Sequence, residues 1–70
     1  MHMIIVRPLD GKGWMIEVDD VQNPQVFQSG RRAETAAKAL AGRLAAFGEA
    51  AEVSIYLRDG SIGGQFVAWT

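Results

Sequence analysis

A nucleophile needs a base within reach, and a chain of 70 residues with no cysteine and one histidine offers few such pairs. Ser29, Ser54 and Ser61 carry hydroxyls without an evident partner, and His2 stands at the start of the chain, where we assign it no function. Asp19 and Asp20 are adjacent carboxylates. Consecutive strand residues point to opposite faces, so this pair reads as a solvated strand end entering a turn rather than as an acid–base or metal-binding pair. Asp10-Gly11-Lys12-Gly13 has the glycines of a phosphate loop but neither its Lys-Ser/Thr ending nor the helix that should follow, and a hairpin turn accounts for it. Catalysis is not expected, and neither a cofactor nor a metal is expected.

Arg31-Arg32 carries more information. Cations in the first turn of a helix oppose the macrodipole and cost about 0.3–1 kcal/mol each. With Lys38 they form a candidate anion site for a phosphate or a carboxylate, supplied by a ligand, RNA or a neighbouring subunit. The simpler reading, in which Arg31 and Arg32 are solvated or paired with Glu34, is preferred because the penalty is small. Seven basic residues against eight acidic ones also lack the basic excess of a dedicated nucleic-acid binder. Nucleic acid is therefore the disfavoured partner.

The elements that position these residues follow from the hydrophobic pattern. Residues 1–70 form a single small domain, because a chain this short has no room for a second core. Met3-Ile4-Ile5-Val6-Arg7 is β-rich and stops at Pro8, which cannot donate to a ladder. Two glycines then turn the chain into Trp14-Met15-Ile16-Glu17-Val18-Asp19, where Trp14, Ile16 and Val18 share one face. Asn23-Pro24 initiates a turn, and Gln25-Val26-Phe27-Gln28 is long enough for a short third strand. Ser29 is an N-cap for a helix running to Phe47, with Gly48 as its stop. Ala33, Ala36, Ala37, Leu40, Leu44 and Phe47 fall on one helical stripe. Val53, Ile55 and Leu57 then alternate with Ser54, Tyr56 and Arg58, and Asp59-Gly60 turns the chain into a last strand over residues 62–69. The expected fold is α+β, an antiparallel sheet packed on one helix in the order β-β-(β)-α-β-β.

Val6-x-Pro8 leading into Gly13-Trp14-x-Ile16-x-Val18, then Phe27-x-Ser29 before an alanine-rich helix, then Asp59-Gly60-x-Ile62, resembles the bacterial family called domain of unknown function 2188. The resemblance covers nearly the whole chain. It departs where Arg31-Arg32 opens the helix in place of acidic residues and where Phe66-Val67-Ala68-Trp69 closes the chain. It implies a fold and no catalytic residues. A weaker likeness, carried by Gly13 to Val18 and by Ser29-Gly30, is to HicB-type antitoxins, and it implies a β-β-β-α-β domain that binds a small toxin.

One helix covers one face of a sheet. If Trp14, Ile16, Val18, Val53, Ile55 and Leu57 meet the helix, then Met15 and Tyr56 lie on the far side, joined there by Phe66 or by Val67 with Trp69. Met15, Tyr56, Val67 and Trp69 are the candidate interface residues, since a large apolar patch on an open sheet face marks an interface. A second stripe, Thr35, Ala39, Gly42 and Ala46, offers small side chains on the outer side of the helix. The expectation is a cytoplasmic, self-associating binding or scaffold module, a homo-oligomer with a dimer first in line. A separate protein partner is the next alternative, and no membrane is involved, because no apolar run approaches the roughly 18 residues of a span.

Overall fold

The computed structural model describes residues 1–11, 13–19 and 25–69. It contains β1 (His2–Pro8), β2 (Trp14–Val18), β3 (Gln25–Phe27), α1 (Gly30–Ala46), β4 (Ala51–Tyr56) and β5 (Ile62–Ala68). The expected turn at Asn23-Pro24 lies outside the described residues. The fold is α+β, with one five-stranded sheet in the order β3-β2-β1-β4-β5 and one helix across it.

The sheet is mixed rather than wholly antiparallel. β1–β2, β2–β3 and β4–β5 are antiparallel, but β4 lies parallel to β1, with Ile4 opposite Val53 and Ile5 opposite Ser54. The reason is topological. A crossover helix returns the chain in the direction of the strand before it. β3 already runs with β1, so β4, laid on the vacant side of β1, must run with it too.

Ser29 caps α1, its Oγ accepting the Arg32 N–H at 3.2 Å. At the other end Gly48 takes a φ of 89°, its N–H donating to Ala45 O and that of Glu49 to Leu44 O, both at 2.9 Å. This paired return is a Schellman stop. Ala33, Ala37 and Ala41 are wholly buried against Ile4, Val6, Ile16, Ala51 and Val53. Side chains this small let the helix axis settle close to the sheet, and the large side chains of the core come almost entirely from strands. Trp14, Val18, Phe27, Leu40, Leu44 and Ile55 close its margins.

Two expected core residues lie elsewhere. Phe47 is 82% exposed, because it is the C-cap and the chain has already left the helical stripe. Leu57 is 45% exposed: β4 stops at Tyr56, and Leu57 opens the following turn, where its side chain lies over Gly63. Ala41, outside the expected stripe, takes a central place. Among the described residues no helix is long and apolar enough to cross a membrane.

Candidate functional site

Among the described residues, the last hairpin and the residue after it gather five exposed large apolar side chains, Leu57, Ile62, Phe66, Val67 and Trp69. Leu57 N–H donates to Ser61 O at 2.8 Å and Gly60 N–H to Leu57 O at 3.0 Å, with Gly60 at a φ of 90°. The Asp59 carboxylate accepts both the Ser61 N–H at 2.9 Å and its hydroxyl at 2.6 Å, which holds its pKa below the usual carboxylate range. This turn sets β5 beside β4, with a register shift at Ile55/Tyr56 that leaves Gly63 as the extra residue. Since β4 is already paired with β1 on its other side, β5 is an edge strand. Ile62–Ala68 carries neither a charge nor a proline, two of the devices that blunt such an edge; the bulge at Gly63 protects only its start and leaves residues 64–68 regular. Ile62 is 51% exposed, Phe66 38%, Val67 37% and Trp69 70%.

The four candidate interface residues are not brought together as one patch. Pairing puts Met15, Tyr56 and Val67 on the face away from the helix and Phe66 on the helix face, where the Lys38 ammonium lies 5.6 Å from its ring centroid. Met15 is nearly buried beneath Arg7, whose Nε donates to its Sδ at 3.4 Å. Arg7 also pairs with Glu17 at 2.6 Å, so charge crosses the open face between Met15 and Tyr56. Two strands separate β2 from β5, on the order of 14 Å from strand to strand. Val67 and Trp69 are near in sequence at the C-terminal end of β5, but Val67 faces away from the helix. Trp69 borders a groove of about 570 Å³ against Ala45, Ala46 and Gly42 of the helix.

Arg31, Arg32 and Lys38 do not converge on one point either. Arg31 and Arg32 are exposed in a first turn that holds no acidic residue. Lys38 is engaged by Glu34 at 3.0 Å, the partner expected for the arginines. A cavity of about 610 Å³ that sequence reasoning missed lies between Gly11, Gly13, Val26, Phe27, Gln28 and Arg58. There Arg58 stacks 5.8 Å from the Trp14 ring centroid and donates to Leu9 O at 3.3 Å. Sequence spacing gives no signal for it, because its walls come from the segment between β1 and β2, from β3 with the residue after it, and from the turn between β4 and β5.

His2 was also passed over, and it is held. Its Nδ1 lies 2.5 Å from Asp19 Oδ2 and its Nε2 meets Glu49 Oε1, while Asp19 Oδ1 accepts the Met3 N–H at 2.7 Å. Asp19 reaches both by taking a left-handed φ of 50° at the end of β2. The Asp19 carboxylate first, then that of Glu49, raises the His2 pKa, and the imidazole in turn lowers that of Asp19. The partners lie 17 and 47 residues away in the chain, so no local pattern announces them. Among the described residues no group of His, Asp and Glu is arranged to hold a metal ion.

Comparison with protein-family models, curated proteins and solved structures finds no match. The functional reading therefore rests on these surfaces alone.

Proposed function

We propose that the protein is a self-associating binding module, a homodimer in its simplest form, and not a catalyst. The observation that carries this reading is the uncharged seven-residue edge strand β5 with Ile62, Phe66, Val67 and Trp69 exposed along it. Their exposed fractions amount to roughly two whole apolar side chains per copy. At about 1.5–3 kcal/mol per side chain, burial in a dimer contributes on the order of 6–12 kcal/mol. Association costs about 4–15 kcal/mol, so burial offsets most of that cost and strand-to-strand hydrogen bonds supply a margin.

The test is the mass in solution by light scattering and sedimentation. A dimer or larger species is expected, split by Trp69→Glu at the C-terminal edge. A chain that stays monomeric at high micromolar concentration removes the reading.

A further inference from the structure

Building on that reading, we infer that two copies join edge to edge, β5 against β5 of a second copy, antiparallel about a two-fold axis at Gln65, to make one continuous sheet.

Among the described residues, only the β5 edge of the sheet is long enough. β3 spans three residues, Gln25–Phe27, whereas β5 spans seven. Short edge strands resist pairing, and long uncharged ones invite it. An antiparallel β5 pair is also self-complementary. The same strand serves both copies, both β5 edges are consumed, and only the short β3 edges remain outermost, so the assembly closes at two; a β5-to-β3 contact would instead leave a free β5 at one end and a free β3 at the other and propagate.

The register follows from the glycines. With the axis at Gln65, Phe66 of one copy stands opposite Gly64 of the other, and the bulge at Gly63, already covered by Leu57 of its own copy, ends the regular pairing. Gly64 is the informative position. Its φ lies outside the left-handed region, so the backbone does not require glycine there. A Cβ at Gly64 would meet only Ile55 Cδ1 at 3.7 Å, an ordinary contact, so packing within one copy does not require it either. Glycine in a strand weakens it and marks the close approach of another group. Gly64 and Phe66 share the helix face of the sheet, so in the pair the Phe66 ring covers the space that the missing side chain leaves, as aromatic rings do over glycines in paired strands. Gln65 meets its own copy on the opposite face. Within one copy the Gln65 Nε2 donates to Glu52 Oε2 at 3.5 Å, which leaves each amide its second N–H and its carbonyl to meet the other across the two-fold axis. Moving the axis to Phe66 would set the two rings opposite each other and leave both glycines facing the partner's strand ends.

Two substitutions test this in the full chain. Gly64→Val suits the extended backbone, and its Cβ makes one ordinary contact, 3.7 Å from Ile55 Cδ1, within the copy, but it fills the seat of Phe66, so the dimer dissociation constant should rise by at least about tenfold, with circular dichroism unchanged. Gln65→Cys introduces the only thiol of the chain. Directly opposed residues of antiparallel strands have Cα atoms about 4.5–5.5 Å apart. That lies inside the roughly 4.4–6.8 Å that a disulfide spans, so mild oxidation should yield a covalent dimer, whereas Val26→Cys on the far edge should not. Both results are required. A wild-type dimer that is indifferent to Gly64→Val, or in which the thiol introduced at Gln65 stays reduced, overturns the edge pairing; if Tyr56→Glu splits that dimer, self-association stands and lies on the open face. A wild-type monomer removes both proposals. Should Gly64→Val fail to fold, cross-linking at Gln65 decides alone.

Discussion

Gly30 and Gly42 lie on the same helix, and alanine at each should act with opposite sign. Gly42 is exposed in the helix interior, and nothing lies within 4 Å of an added Cβ. Gly42→Ala therefore removes only the conformational cost of glycine and should stabilise the fold by about 0.5–1 kcal/mol. Gly30 begins the helix with its Cα against the Trp14 ring, and an added Cβ would sit 2.9 Å from Trp14 Cε2 and 3.1 Å from Cζ2. Carbon atoms prefer about 3.5–4.0 Å, so ring or helix must give by roughly 0.6–1 Å. The ring is bounded by the core on one side and by the Arg58 guanidinium over its face. Overpacking of this kind costs about 1–3 kcal/mol, and the gain in helix propensity offsets up to about 1 kcal/mol of it. A net loss of about 0.5–2 kcal/mol remains. Urea unfolding followed by tryptophan fluorescence, at one fixed protein concentration because association adds to stability, reads both effects. With a slope near 1 kcal/mol per molar, the midpoint should rise by about 0.5–1 M for Gly42→Ala and fall by about 0.5–2 M for Gly30→Ala. A Gly30→Ala protein as stable as the parent would refute the packing of Trp14 on the helix start. A destabilised Gly42→Ala protein would show that the outer stripe of the helix is itself an interface.

Two further outcomes follow. The His2 pKa is raised in the fold, so its contribution to stability is complete below about pH 6.5 and is lost as pH rises through the folded value; the Asp19 pKa is lowered, so its contribution is present above about pH 4 and is lost as pH falls through its folded value. Thermal unfolding against pH should thus show a maximum between those limits, and His2→Ala should flatten the decline on the alkaline side; an unaltered profile would mean the contact with Asp19 and Glu49 is absent in solution. Arg31→Glu and Arg32→Glu should each raise stability by about 0.3–1 kcal/mol by reversing an unfavourable charge at the helix start, with no change in oligomeric state. If the parent instead binds polyphosphate or an oligonucleotide with a steep salt dependence that these substitutions abolish, anion recognition displaces self-association as the better account.

Much of the fold is local and was legible for that reason. The period of two over Trp14 to Val18 and over Val53 to Ile55 fixes which side chains share a face, and the hydroxyl of Ser29 and the glycine at position 48 set the helix limits within a residue. Phe47 and Leu57 misled because periodicity continues on paper past the point where the chain leaves the element. Met15 and Tyr56 lie on the expected side of the sheet, and the pairing of β5 with β4 decides that Val67 rather than Phe66 joins them, but the alternation of a single strand says nothing about what neighbouring strands lay over it. Only the pairing of β1 with β2 puts Arg7 over Met15.

What the sequence by itself determined is the number and type of the elements and the facing of β2, α1 and β4, because backbone preference, side-chain alternation and capping act within a few residues. Tertiary structure alone decided which strand became an edge. Placing β4 beside β1 made that pair parallel, carried His2 to Glu49, and left β5 outermost with one side of its backbone unpaired. Those outcomes depend on contacts between residues tens of positions apart, and their free energy is settled only when the whole sheet has closed over its single helix.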